Sequence, residues 1–149
     1  MKIKLISELT SVLKQKFNED LLAIVLFGSI VKGSFTSTSD IDVLVVCQTL
    51  IKDWRARDKM TLELTEDIEL KYATSIHMAL VSKDEISHAI DSVSPLMLEI
   101  YEANEIIYEK DNFFTQLLNN FRKNLKSLHA IKIEKGVLKI RGLAVIESG

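Results

Sequence analysis

Two aspartates one residue apart, Asp40 and Asp42 in "SDIDVLVV", head an apolar run, and twelve residues before Asp40 a similar run, "LLAIVLF", ends at Gly28 and Ser29. Carboxylates at i and i+2 on a strand leave the same face, close enough to share a cation. Without a partner for their charge they are costly to hold beside a buried strand. A divalent ion cancels that charge, and all-oxygen ligation suits Mg²⁺ or Mn²⁺. Because Mg²⁺ usually takes only one or two protein carboxylates and completes its shell with water and substrate phosphates, a phosphate-bearing ligand is implied.

The segment upstream supplies a place for that phosphate. Gly28 lets the backbone approach a ligand closely as the strand turns into a short helix, and Ser29 can cap that helix while offering its hydroxyl. Free amides at such a helix start favour anions. Lys32 and Gly33 follow within one turn, and the loop "SFTSTS" adds hydroxyls, the last of them Ser39. On residue type alone, Lys32 reads equally well as an ordinary surface lysine. No Gly-Lys-Ser/Thr triplet is present, so the cradle is not a P-loop.

The elements that must position these groups follow from periodicity. Ile6, Leu9, Leu13 and Phe17 have helical spacing, and the helix should stop near "NED", before the strand "LLAIVLF". "SDIDVLVV" carries apolar residues on both faces, as an interior strand covered by helices on each side does. "DWRARDKMTLELTEDIELK" reads as a helix with Trp54, Leu64 and Ile68 facing inward. In the strand "TSIHMALVS", the large residues Ile76, Met78 and Leu80 alternate with Ser75, His77 and Ala79, which leaves a small, partly polar face to border a cleft.

"SKDEISHAI" and "SPLMLEIYEAN" read as short helices, the second with Pro95 in its first turn, and "EIIYE" as a short strand. A last long helix carries the stripe Phe114, Leu117, Leu118, Phe121, Leu125 and Leu128, and a turn is expected at Gly136. The expectation is a layered α/β (α+β) fold, a mixed β-sheet flanked by helices with a C-terminal helical extension. With no repeat or linker, it forms one domain over residues 1–149, its core about 3–85 and its extension about 86–149.

At 149 residues, 47% hydrophobic and 27% charged, the chain can bury a sizeable core. No apolar run approaches the roughly 20 residues that span a bilayer, and the N-terminus lacks a signal peptide's uninterrupted core. No membrane association is expected, and the chain reads as cytoplasmic. Cys47, the only cysteine, sits in "DVLVVC" and reads as a buried thiol. His88 and His129 lack ligand spacing for zinc. Trp54, Tyr72, Tyr101 and Tyr108 read as packing anchors, because none lies in a basic aromatic run. Residues 51–111 hold 7 Lys/Arg against 14 Asp/Glu, and residues 112–149 hold 7 against 2. That basic tail reads as a solvated helix face, so a nucleic-acid partner has no motif behind it.

The combination "GSIVKG" then "SDID", set in the order helix, strand, short helix, strand, helix, strand, resembles the minimal nucleotidyltransferases of the DNA polymerase β-like fold. The resemblance covers roughly residues 3–85. It implies that Gly28 and Ser29, with Lys32 and Ser39, hold the phosphates of a nucleoside triphosphate, and that Asp40 and Asp42 bind the metal. The implied reaction is in-line attack of an acceptor hydroxyl on the α-phosphorus, with pyrophosphate leaving. The acceptor is a hydroxyl of a partner protein, an RNA or a small molecule, and the donor is most simply ATP.

Small members resemble the antitoxin halves of toxin–antitoxin modules, which implies a protein partner or a homodimer mate. Catalytic members usually carry a third acidic residue on the next strand, where this chain offers His77. His77 can accept a proton near neutral pH but is a poor Mg²⁺ ligand. Glu66, Asp67 and Glu69 would reach the cleft only if that strand began elsewhere. The alternative reading is a nucleotide-binding or partner-binding module that has lost turnover.

Overall fold

The structure, a computed structural model, describes residues 2–135, with side chains to Leu128. The turn expected at Gly136 and the side chain of His129 lie outside the described residues. The elements are α1 (Lys2–Phe17), a 3₁₀ turn (Asn18–Asp20), β1 (Leu21–Phe27), α2 (Ser29–Lys32), β2 (Ile41–Cys47), α3 (Trp54–Tyr72), β3 (Ile76–Ser82), α4 (Lys83–Asp91), α5 (Pro95–Glu102), β4 (Asn104–Glu109) and α6 (Phe113–Lys135). Four strands form one mixed sheet in the order β3-β2-β1-β4. β2 and β3 run parallel, and β1 runs antiparallel to both β2 and β4.

Every residue of β1 is buried, because both faces of the sheet are covered. On one face Leu5, Leu9 and Leu13 of α1 and Leu64 and Ile68 of α3 meet Ile41, Val43 and Val45 of β2 and Ile76, Met78 and Leu80 of β3. Fully burying a leucine of this kind contributes about 1.5–3 kcal/mol. On the other face Ile86 and Ile90 of α4, Met97 and Ile100 of α5, and Phe114, Leu117 and Phe121 of α6 cover Leu44, Val46 and Phe27. The expected stripe of α6 lies wholly in this second core, with Leu118, Leu125 and Leu128 at its margin. Cys47 is buried, and burial foremost pushes its thiol up to about 12, so it is inert at neutral pH.

Side-chain caps punctuate the helices. Asp53 accepts the Arg55 amide at the start of α3, Ser82 and Glu85 form a capping box on α4, and Ser94 accepts the Met97 amide ahead of Pro95. The inward placement of Trp54 is corrected. Its side chain is exposed, lying against the guanidinium of Arg57, and Arg57 takes the inward place because its guanidinium finds buried acceptors there. Tyr72, Tyr101 and Tyr108 do pack against the two cores. No described helix is long and apolar enough to cross a membrane.

Candidate active site

β1 ends at Phe27, and Phe27 pairs with Asp42 on one side and Asn104 on the other. The next residue, Gly28, has φ +76° and ψ −151°, a conformation open essentially to glycine alone. A second constraint reinforces the first, since a Cβ at Gly28 would overlap the Oδ2 atom of Asp42. The Asp42 carboxylate is therefore seated against bare backbone at the mouth of α2.

α2 is a single turn, closed by Gly33 in the left-handed conformation with its amide bonded to the Ser29 carbonyl at 3.0 Å. Its N-cap is Gly28, and no side chain caps it. The capping role expected of Ser29 is thus corrected. Ser29 is the first helical residue, and its hydroxyl makes no hydrogen bond among the described residues.

β2 begins at Ile41, so Asp42 lies on the strand and Asp40 lies on the coil just before it, exposed. The expectation of two carboxylates side by side on one strand is therefore met only by Asp42. Parallel pairing sets Asp42 opposite His77, and His77 Nδ1 lies 3.2 Å from Asp42 Oδ1. A carboxylate oxygen only accepts, so Nδ1–H donates and the lone pair of a neutral ring is left on Nε2. The His77 side chain is 70% exposed and the Asp42 side chain 23%, which puts the pair at the border between sheet and solvent.

Lys32 points its ammonium to Glu102, at the end of α5, with Nζ 3.2 Å from Oε1. Ser39 is engaged within its own loop, where its hydroxyl accepts the Thr36 amide at 3.0 Å and lies 3.1 Å from the Thr36 hydroxyl. Glu69 does not enter the cleft. Its Oε2 accepts the amide of Ile76 at 2.7 Å, fixing the start of β3 one residue before His77. Sequence spacing gave no sign of Glu102 or of this use of Glu69, since both contacts bridge separate elements.

The donor set fits a hard divalent ion. It offers carboxylate oxygens, one set half-buried in a cradle that a Cβ would fill. Among the described residues, no three His, Cys, Asp or Glu side chains form a ready-made cage. A cation here would draw the rest of its shell from water and phosphate oxygens, as Mg²⁺ does.

Residues 7–113 match the family described as Polymerase beta, Nucleotidyltransferase. A Methanocaldococcus jannaschii protein named as a protein adenylyltransferase, MJ1305, is 33% identical over 122 residues, which is 82% of each chain. Among solved structures, a toxin–antitoxin complex with AMP-PNP contains a chain that superposes with a TM-score of 0.58 at 16% identity, covering 87% of this chain and 93% of that one. The spectinomycin adenyltransferase of Enterococcus faecialis, solved with ATP and spectinomycin, superposes with a TM-score of 0.59 at 16% identity, covering 89% and 67%. The two superpositions establish a shared fold, and the family match and the adenylyltransferase relative go further: this chain belongs to the polymerase β nucleotidyltransferase family and is a minimal nucleotidyltransferase.

Proposed function

We propose that the chain moves AMP from ATP onto a hydroxyl of a partner protein, acting as one nucleotidyltransferase domain over residues 1–149. The observation that carries this reading is the Asp42 carboxylate lodged against Gly28, because it unites a metal-binding group with the turn that would receive the phosphates. The relative named as a protein adenylyltransferase and the toxin–antitoxin neighbour support a protein acceptor over an RNA or a small molecule.

In this reading Asp40 and Asp42 hold Mg²⁺ or Mn²⁺, and Gly28, Ser29 and Lys32 hold the triphosphate. Ser39, bonded to Thr36 within its own loop, would add its hydroxyl. A bound divalent ion supplies charge neutralisation at the α-phosphorus and on departing pyrophosphate. The chain's own residues orient the donor. Gly28 admits a phosphate close to backbone, Ser29 donates a hydroxyl hydrogen bond, and His77, steadied by Asp42, offers Nε2 to the proton of the attacking hydroxyl. His77 stands where relatives of this fold commonly place a third acid, so proton removal here falls to an imidazole.

The test is transfer of label from [α-³²P]ATP to a co-expressed partner protein, run beside calorimetry of ATP binding with and without Mg²⁺. Label on the partner together with pyrophosphate release is the expected result. Binding without release, with the partner present, would favour the alternative of a binding module. Absence of ATP binding would remove both.

A further inference from the structure

Lys32 is the one cation on α2, and its ammonium is held by a carboxylate that does not belong to the cradle. Nζ lies 3.2 Å from Glu102 Oε1, and both side chains are largely exposed, 44% and 69%. We propose that Glu102 is a built-in counter-ion that occupies Lys32 until a triphosphate displaces it, so that Glu102 sets the affinity of the site for nucleotide. The proposal rests on the placement of Lys32 in the phosphate site.

Three features make the exchange feasible. An exposed ion pair of this geometry is weak and salt-sensitive, so a polyphosphate, with more charge and more acceptor oxygens, outcompetes a single carboxylate. The end of α5 does not depend on the pair, since the Asn104 side-chain amide donates to the Ile100 carbonyl at 2.9 Å and Asn104 pairs with Phe27 in the sheet. Releasing Lys32 therefore leaves the sheet and α5 in place. The exchange is also local, because α2 is closed by its own Gly33 bonds and does not need Glu102 to hold its turn.

Calorimetry of MgATP on the full chain tests this with Glu102→Gln, Lys32→Gln and the double variant, at low and at high salt. Glu102→Gln is expected to tighten binding about two- to fivefold at low salt, the range an exposed ion pair covers, with the gain shrinking as salt rises. Lys32→Gln should weaken binding, and in that background Glu102→Gln should bring little or no further gain. An unchanged or weaker Glu102→Gln overturns the proposal. So does an equal gain in the Lys32→Gln background, which would mark Glu102 as a diffuse repulsive charge. If no protein in the series binds MgATP, the nucleotidyl-transfer reading itself falls, and this inference with it. Wild-type binding with a null Glu102→Gln result sinks the inference alone.

Discussion

The two ends of the sheet treat polar groups in opposite ways. At the far end, where Cys47 and Ser82 pair, the buried Arg57 spends its guanidinium entirely inside the chain. Its Nε and Nη2 donate to the Ile51 carbonyl at 3.2 and 2.8 Å, and its Nη1 donates to Glu85 Oε1 at 2.7 Å and reaches the Leu80 carbonyl at 3.4 Å. Glu85 in turn accepts the Ser82 amide. At the near end, Ser29, Asp40 and the outer nitrogen of His77 have no such partners among the described residues. A charge that is buried and fully bonded holds the fold, whereas groups at an exposed border keep their remaining hydrogen-bonding capacity for solvent or, in the proposed function, for a nucleotide.

Substitution at each end puts that contrast at risk. Asp42→Asn should lower nucleotidyl transfer on the order of 100- to 1,000-fold, the scale of losing a preorganised charge in a site. Its urea midpoint should stay near wild type, since the amide is isosteric. Unchanged MgATP binding by this variant would remove the near end from the chemistry. Arg57→Met should do the reverse, costing about 2–4 kcal/mol in urea denaturation by stranding the Ile51 and Leu80 carbonyls. Transfer per folded molecule should hold, and a selective loss of transfer would mean that the far end is not merely structural.

A smaller effect belongs to the near end. Glu69→Ala removes the acceptor for the Ile76 amide and should cost about 1 kcal/mol, with Glu69→Gln restoring most of it because an amide carbonyl still accepts. The smallest effect is one of acidity. Hydrogen bonding from Arg57 holds the Glu85 carboxyl below its ordinary 4.5, against an opposing push from burial. Its stabilisation is complete above about 4.5 and fades as pH falls through the lower folded value. The stability gap between wild type and Glu85→Gln should therefore narrow on acidification below that point. A gap that stays constant down to pH 3, followed by chemical denaturation, would separate Glu85 from the Arg57 network.

Local signals made most of the fold legible. The strand position of Asp42, the Gly-Ser break and the alternation of Ile76, Met78 and Leu80 each depend on neighbours in sequence, and each corresponds to a feature of the structure. What escaped depends on tertiary partners. Helical spacing alone cannot tell that Trp54 stays exposed while Arg57 turns inward, because arginine is seldom buried without several acceptors, and here these come from three separate segments. Asp40 fell off the strand because Ile41 is the first residue to pair, its amide bonding to the Ser75 carbonyl at 2.9 Å. The meeting of Lys32 with Glu102 spans two elements that no periodicity connects.

The central strand β1 waits for its second neighbour. Phe27 pairs with Asn104, 77 residues further along (104 − 27), and the second core closes only with Phe121 of α6. At about 5–20 residues per second of synthesis, that interval lasts about 4–15 s, during which one border of β1 has no ladder partner and the second core lacks α6. The strand that ends at Gly28 is thus made well before the neighbour that completes its ladder, so a nascent chain halted before β4 would expose a sticky, incomplete sheet to any chaperone or aggregate within reach.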